Sequence, residues 1–575
     1  EHTSVRPLAT LVGENSVDTI EDTVVEQTTV FVPNYEINIP TTEIVAAREV
    51  ESIPMPPIIP RRSLERVLPA QKISPAGLDP FTYAYGGGRS LEDMRKWVVA
   101  DPSRLRTRRQ VETEDGQLRW VENDGNPVER NVTNERNMLN SYLEGQFTAE
   151  PQYRQYIQNI ADALGPMGQK CRVSVNIPAW MEEKNLRNLL SQYLDQRDKD
   201  GNPLDPGLFE VNIIVNRKEG TAPDGSVGVI NQFIDQYVAS HNGQRPNVRF
   251  VDVEFKEEIA TVGYARKVLT DAALLRSLSR TDQDQPLYIE SEDADLTNVD
   301  KRVIANLISK LDRNPHLDAV HGIEGRMPEV IKDNDLLVMR RNAWEVFLLM
   351  ARQKKFRNPN SGSWNAFANR TITGGWNTGY SAEAYAMIGG YENLRAGEDL
   401  TIGERISMVR GDGNYPNLET IGTVPTRTES SPRRFINEII RNKSAYDGFG
   451  EGPDEQRIRD MPLTDLMSEI SDFARISDDN RATFAGEADM FYGWCLSASP
   501  TRQDAREMVK RVMRSAGYRE GDYTFSGDKL IVTNWDNVTT NLNAYRTQFD
   551  RAQRPNRKLI IGGWKRPDLR TTVMT

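Results

Sequence analysis

Residues 171–196 read CRVSVNIPAWMEEKNLRNLLSQYLDQ, a short apolar run followed by a more polar segment. The first part is rich in β-branched residues and ends at Pro178, which is typical of a strand that enters a turn. The second part has the three- and four-residue spacing of a helix face, with leucines at Leu186, Leu189, Leu190 and Leu194. This stretch therefore predicts one strand followed by one helix.

The same pair of patterns recurs twice farther along the chain. FEVNIIVN (209–216) precedes GVINQFIDQYVASH (228–241), and VRFVDVEF (248–255) precedes YARKVLTDAALLRSLS (264–279). PLYIES (286–291) then predicts a fourth strand. Strands that alternate with helices favour parallel β-α-β units, so we expect an α/β fold with a mostly parallel, Rossmann-like sheet flanked by helices. Ligands of such sheets bind beyond the carboxyl ends of the strands.

The texture of the sequence divides the chain into four regions. Residues 1–75 are rich in Val, Thr, Glu and Pro and predict an extended, Pro-rich N-terminal arm. Residues 76–169 predict a small α+β segment packed on the core, and residues 170–425 contain the strand–helix alternation. Residues 426–575 predict a mostly helical C-terminal domain.

Bulk composition narrows the classes of partner. The chain has 575 residues and a formal net charge of −11, which argues against a nucleic-acid partner. No apolar run approaches the length of a membrane span. The first residues lack a secretory pattern, and only two cysteines occur, Cys171 and Cys495, so we expect a cytoplasmic location without a disulfide framework. A homo-oligomer stays open.

Acidic side chains crowd the end of the fourth predicted strand, in YIESEDADLTN (288–298). Asp293 and Asp295 form an Asp-x-Asp pair, and two such oxygen ligands suit Mn²⁺ or Mg²⁺ when a diphosphate supplies further oxygens. The alternative interpretation is a solvated acidic loop or a helix start. We interpret Glu290 as structural and leave Glu292 open.

A glycine-rich stretch, TGGWNTGYSAEAYAMIGGYENLRAGEDLTIGERI (373–406), follows about a hundred residues later. Glu398 and Asp399 begin a helical pattern within it, where a carboxylate could act as a general base or simply cap the helix. His321, in AVHGIEGRM, is predicted to follow a strand. It could reach a metal or a diphosphate, or serve a structural role.

Four blocks of residues 170–425, taken in order, resemble the GT-A nucleotide-diphospho-sugar glycosyltransferases, and most of all the inverting family 2. They are VSVNIPAWMEEKNLRNLLSQYLDQ, VGYARKVLTDAA, YIESEDADL, and GGWNTGYSAEAYAMIGGY with GEDLTIGERI. The resemblance implies a metal-dependent enzyme that moves a sugar from a nucleoside-diphosphate donor to the hydroxyl of a glycan or another acceptor, with inversion. A retaining enzyme stays open on the same fold.

The resemblance also implies roles for individual residues. The nucleotide-sugar contacts would be Pro178, Ala179, Glu182, Asn216, Arg266 and Asp293. Asp295 would hold the divalent metal together with Asp293, and Trp376 and Asn377 would border the acceptor. Asp399 would be the general base, with Glu398 as an acceptor contact or the alternative base.

This chain departs from the family pattern at three positions. Met181 stands where the family usually has Asn, Asn216 where it has Asp, and Lys267 where it has Asn. These departures favour an alternative, a degenerate GT-A module that binds nucleotide-sugars as a scaffold without turnover.

Overall fold

The computed structural model describes most of the chain from residue 91 to residue 433. The described residues are 91–281, 283–325, 374–394, 397–414, 416–433, 501–515 and 518–533, with short pieces at 457–458, 460–462, 465–466, 492–493, 496, 560–561 and 564–565. The predicted arm at 1–75 lies outside them, as does much of the predicted C-terminal domain. Within this part of the chain, no helix is long and apolar enough to cross a membrane.

The described strands lie in four sheets. They are β1 (Arg108–Glu112), β2 (Leu118–Glu122), β3 (Val173–Ala179), β4 (Phe209–Lys218), β5 (Val248–Phe255), β6 (Tyr288–Ser291), β7 (Leu296–Asn298), β8 (Ala319–Gly325), β9 (Thr378–Ser381), β10 (Ile421–Ser430), β11 (Tyr523–Ser526), β12 (Lys529–Val532), β13 (Ile560–Ile561) and β14 (Trp564–Lys565).

Helices connect most of these strands. They are α1 (Leu91–Val99), α2 (Val132–Ala149), α3 (Pro151–Leu164), α4 (Glu183–Leu194), α5 (Ser226–Ser240), α6 (Val262–Leu278), α7 (Val303–Arg313), α8 (Ala382–Met387), α9 (Glu398–Arg410) and α10 (Arg502–Ser515).

The main sheet has eight strands in the order β5-β4-β3-β6-β9-β8-β10-β7. The run from β5 to β6 is parallel, as the strand–helix alternation predicts. β9 is antiparallel to β6 and β8, β10 is parallel to β8, and β7 closes the edge antiparallel to β10. The predicted α/β fold with a mostly parallel sheet flanked by helices is therefore confirmed.

Two apolar clusters pack against this sheet. One joins buried residues of α2, α3, α6, α8 and α9 to strand residues such as Ile289 and Tyr380. The other joins α4, α5 and α7 to strand residues such as Val175 and Tyr288. Because Tyr288 and Ile289 are consecutive in β6 and belong to different clusters, the clusters lie on opposite faces of the sheet. Residues of α2 and α3, from the segment 76–169, belong to the first of these clusters.

Buried polar contacts fix α6 against the sheet. Arg276 donates from Nη1 and Nη2 to the two carboxylate oxygens of Glu210 on β4, at 2.7 and 2.8 Å. Asn176 of β3 donates to Thr270 of α6 at 3.2 Å. A forked Arg–carboxylate pair has a narrow geometry, so these contacts fix the register of the helix that carries Arg266.

Gly263, in the first turn of α6, gives a stability prediction. A Cβ there would lie 2.2 Å from the backbone oxygen of Glu392 and 2.8 Å from the backbone nitrogen of Leu394. We expect Gly263→Ala to lower the free energy of unfolding by about 1–3 kcal/mol, because backbone must move. Urea denaturation measures this.

Gly228 is the matched control, since it is also a helical glycine but has no atom within 4 Å of an added Cβ. Gly228→Ala should stabilise the protein by up to about 1 kcal/mol, as expected for a helix interior. Equal shifts for the two variants would contradict the close approach of α6 to residues 392–394.

The outer edge of the sheet reaches beyond the predicted boundary at residue 425. β10 continues to Ser430, and the backbone nitrogen of Ser431 donates to the backbone oxygen of Asp295 at 3.0 Å. Arg433 then donates to the backbone oxygens of Ile458 and Met461, at 2.7 and 2.8 Å. The acidic turn between β6 and β7 is therefore supported by residues on the far side of that boundary.

Candidate active site

The candidate residues lie mainly on two neighbouring parts of the sheet. Pro178 and Ala179 end β3, and Asp293 and Asp295 lie in the turn that follows β6. Trp376 and Asn377 precede β9, the antiparallel neighbour of β6, and the pair Glu398–Asp399 begins α9. The expectation that ligand-binding residues gather beyond the carboxyl ends of the parallel strands agrees with this placement.

Arg266 is the centre of the site, and it is almost fully buried, at 2% exposure. Its Nε donates to Glu398 at 3.0 Å, and its Nη2 donates to the carboxylate of Asp293. Its Nη1 donates to the hydroxyl of Ser291 at 2.6 Å and to the backbone oxygen of Glu292 at 3.2 Å. One guanidinium thus joins the acidic turn after β6 to the start of α9.

Gly375 brings a third segment to the same guanidinium. Its backbone oxygen accepts from Nη2 of Arg266 at 3.0 Å. A Cβ at this position would lie 2.9 Å from both carboxylate oxygens of Asp293 and 3.2 Å from Nη2 of Arg266. A side chain at this position would displace the carboxylate of Asp293, so glycine favours the close approach of the loop to the acidic turn.

Among the described residues of the site, three acidic side chains, Asp293, Glu398 and Asp399, lie around one cationic side chain, Arg266. Burial, followed by the charge of Asp399, raises the pKa of Glu398 to about 8 despite its bond to Arg266. Burial also raises the pKa of Asp399, which is half-buried, and the charge of Asp293 acts in the same direction. Burial alone would lower the pKa of Arg266, but neighbouring acids, Asp293 first, raise it. Among the described residues, acidic groups therefore exceed cationic groups at this site, and their proximity helps to raise the pKa of Glu398 and of Asp399.

The loop before β9 is held in an unusual backbone conformation. Asn377 has a φ of +52°, in the left-handed region, and its side chain is buried. It donates to the backbone oxygen of Thr426 at 3.2 Å and accepts from the hydroxyl of the same residue at 2.9 Å. Its backbone oxygen accepts from Gly322 at 2.9 Å. Trp376, at 8% exposure, packs in the apolar cluster beside β3.

The turn after β3 contains a second left-handed residue. Met181 has a φ of +58°, and its backbone nitrogen donates to the carboxylate of Asp224. Among residues other than glycine, Asn is one of those found most often in this conformation, which gives a physical reason for the Asn of the family pattern. The next residue, Glu182, accepts from Asn185 at 2.7 Å, so its carboxylate is fixed against the first turn of α4.

Two further predicted residues, Asn216 and His321, and the departure at Lys267 are placed differently from the residues around Arg266. Asn216 lies in β4, which β3 separates from β6. His321 lies within β8 and does not follow a strand as predicted; its Nδ1 is 3.2 Å from the backbone oxygen of Gly322. Lys267 binds Asp271 at 2.7 Å and the hydroxyl of Tyr142 at 2.6 Å, so it ties α6 to α2.

Some residues at the site were not singled out in the sequence. Ser291 and Gly375 contact Arg266, and the hydroxyl of Tyr391 donates to Ser291 at 3.0 Å. Glu292, which the sequence left open, is fully buried and accepts from the backbone nitrogen of Asn377 at 3.1 Å. The glycine pair before Trp376 was a visible signal of close backbone approach, whereas Ser291 and Tyr391 offered none.

Comparison with known proteins gives matches among solved structures. No protein-family model and no curated protein matches the chain. The mannosyltransferase PcManGT from Pyrobaculum calidifontis, in complex with GDP-Man and Mn²⁺, is 14% identical with a TM-score of 0.29, and the match covers 66% of this chain and 96% of that chain. S. aureus TarS in complex with UDP is 13% identical with a TM-score of 0.27, covering 64% and 98%.

A third similar structure is glucosyl-3-phosphoglycerate synthase from Mycobacterium tuberculosis, in complex with Mn²⁺, UDP-glucose and phosphoglyceric acid. It is 16% identical with a TM-score of 0.24, and the match covers 46% of this chain and 72% of that chain. The mostly parallel sheet flanked by helices is consistent with the GT-A fold that the sequence resembles.

Proposed function

We propose that this chain transfers a sugar from a nucleoside-diphosphate donor to an acceptor hydroxyl, with Mn²⁺ or Mg²⁺ as cofactor. The observation that supports this is the cluster of Asp293, Glu398 and Asp399 around the guanidinium of Arg266, beyond the carboxyl end of β6. A divalent cation would favour the ionised forms of such closely spaced carboxyl groups, and a diphosphate would complete the charge balance.

The carboxylates of the site fit a cation that is coordinated partly by the protein and partly by the bound diphosphate. Within the described ranges, no three His, Cys, Asp or Glu side chains form a ready-made metal site. Mg²⁺-type cations often take only one or two carboxylates and complete their shell with phosphate oxygens and water. We assign the protein's share to Asp295 and Asp293. The cation, when bound, neutralises charge on the departing diphosphate.

Asp399 is the proposed general base. Glu398 accepts from Nε of Arg266, whereas Asp399 is half-buried at the first turn of α9 and accepts from the backbone nitrogen of Leu400 at 2.9 Å. In the proposed reaction a carboxylate oxygen of Asp399 takes the proton of the acceptor hydroxyl. The hydroxyl oxygen bonds to the anomeric carbon as the bond to the diphosphate breaks, with inversion.

The remaining assignments follow the placement of the residues. Pro178, Ala179 and Glu182 would line the nucleotide pocket at the end of β3, with Asn216 beyond it on β4. Trp376 would border the acceptor sugar through the small exposed part of its side chain, because most of it packs in the apolar cluster. His321, whose Nδ1 lies 3.2 Å from the backbone oxygen of Gly322, is not assigned to a step of the mechanism.

The test is a panel of nucleoside-diphosphate sugars with Mn²⁺ or Mg²⁺, in which calorimetry gives donor affinity and hydrolysis gives turnover. Asp295→Ala should weaken metal-dependent donor binding by at least about tenfold, the scale at which metal sites lose affinity when even supporting contacts are removed. Asp284→Ala is the matched control, because Asp284 is exposed and lies before β6, at the opposite end of the strand. Absence of metal-dependent binding in the wild type would overturn the proposed function.

A scaffold that binds nucleotide-sugars without turnover is the second candidate. The observation that favours it is that protein groups already accept hydrogen bonds from all three nitrogens of Arg266, the residue implied to contact the nucleotide. Tight binding of the donor with neither hydrolysis nor transfer, across the same panel, would identify the scaffold.

A further inference from the structure

Glu290 and Glu292 are two carboxyl groups that the proposed reaction does not use. They are 1% and 0% exposed, at the end of β6. Strand alternation places both on one face of the sheet, with Ser291 and its bond to Arg266 on the other. A buried carboxyl group is costly unless its oxygens are satisfied, so the contacts of each group show what it does.

Glu292 joins two segments that belong to different sides of the site. Its Oε1 accepts from the hydroxyl of Tyr193 at 2.5 Å. Tyr193 lies on α4, the helix that follows the turn after β3, where the nucleotide contacts are predicted. Its Oε2 accepts from the backbone nitrogen of Asn377 at 3.1 Å. Glu290 has no such contact with the loop before β9; its Oε2 lies close to Gly379, within that strand.

The loop needs this support because of its backbone conformation. A non-glycine residue in the left-handed region costs free energy and persists only where its surroundings fix it. Asn377 is fixed through its side chain by Thr426 and through its backbone nitrogen by Glu292. Two residues earlier, Gly375 is fixed by Arg266. Trp376 therefore lies between two backbone contacts, one made by the side chain of Arg266 and one by the side chain of Glu292. Both side chains lie beside the proposed nucleotide and metal contacts.

We propose that Glu292 is a positioning residue for the acceptor: it holds the loop from residue 374 to residue 378, and with it Trp376, without contacting either substrate. This proposal rests on the proposed function. It states that Glu292, beside the proposed metal ligands, fixes the loop that carries the proposed acceptor contact Trp376. Loss of the contact should therefore impair reaction with an acceptor and spare reaction of the donor with water.

The main variant is Glu292→Gln, and its matched control is Glu290→Gln. The glutamine amide at 292 has no charge and offers one acceptor oxygen in place of two, so it weakens the contacts with Tyr193 and Asn377. The same change at 290 leaves both of these contacts in place. Both variants make the same chemical change in the same buried strand, and they differ in contact with the loop.

Three quantities are measured for each variant: kcat/KM for transfer to an acceptor, the rate of donor hydrolysis, and the calorimetric affinity for the nucleoside diphosphate with Mn²⁺. Glu292→Gln should lower transfer by roughly 10- to 100-fold, the scale of a small misplacement of a reacting group. Hydrolysis and nucleotide affinity should stay within about twofold, and Glu290→Gln should leave all three within about twofold. Equal losses of transfer and hydrolysis, or equal effects of the two variants, would overturn the proposal.

Two further measurements keep the outcome decisive. Tyr193→Phe removes only the hydroxyl that donates to Glu292, so it should also lower transfer, by several-fold. This variant tests the proposal if Glu292→Gln does not fold. Amide hydrogen exchange of residues 374–381 should be faster in Glu292→Gln than in Glu290→Gln. If the wild type shows neither nucleotide binding nor turnover, the proposed function fails, and the exchange comparison still decides whether Glu292 holds the loop; equal exchange would overturn that.

Discussion

Replacement of Asp399 by Asn is expected to lower kcat for sugar transfer by roughly 10²- to 10⁴-fold, the usual contribution of a general base. The affinity for nucleoside diphosphate and Mn²⁺ should be nearly unchanged, because Asp399 is assigned to the acceptor proton and not to the donor. Burial raises the pKa of Asp399, so wild-type transfer should decline as the pH falls through a value above the ordinary range of an aspartate. That decline should be absent from the variant.

Asp412→Asn is the control for this prediction, because Asp412 is exposed and follows the other end of α9. It should retain wild-type transfer and the wild-type pH profile. If Asp399→Asn keeps its activity while Glu398→Gln loses it, the base is Glu398 and the assignment within the pair is reversed.

Removal of the guanidinium of Arg266 is expected to have the largest effect on stability. In Arg266→Met, Asp293 and Glu398 would keep their burial and lose the cation that binds them both. Breaking a buried ion pair from one side costs about 3–5 kcal/mol of unfolding free energy. Urea denaturation at neutral pH measures this loss. Arg266→Lys should recover only part of it, because an ammonium cannot fork between separate acceptors.

The control is Arg154→Met, which removes an exposed pair with Glu144, at 52% and 58% side-chain exposure. Its cost should stay below about 1 kcal/mol, as is usual for surface ion pairs. A similarly small cost for Arg266→Met would show that Arg266 is not the residue that holds the acids of the site together.

The parallel half of the sheet was readable from sequence because its signals are local. The strand predicted at 248–255 has those bounds in the structure, and the strand predicted from 209 runs on to 218. β9 was not predicted, since its four residues, Thr378–Ser381, include a glycine and carry no alternating pattern. Its place beside β6 depends on long-range pairing, which no local pattern encodes.

The candidate site was readable only as a set of residue types. Asp-x-Asp and Glu398–Asp399 were identified from order and spacing, and their roles stay predictions. The position of Arg266 between Asp293 and Glu398 was not readable, because three distant segments meet there. The burial of Glu292 was also not predicted from the sequence, since a glutamate in an acidic stretch is usually exposed to solvent.

The pairing of β7 with β10 bears on the order in which the chain assembles. β7 follows β6 directly in sequence, yet its partner begins only at residue 421. Bringing such distant segments together carries a loop-closure entropy that neighbouring strands avoid, and contacts of this kind form slowly. A chain emerging from the ribosome would thus build the run from β5 to β6 first. We expect the turn that carries Asp295 to take its final shape only after Ser431 has been synthesised.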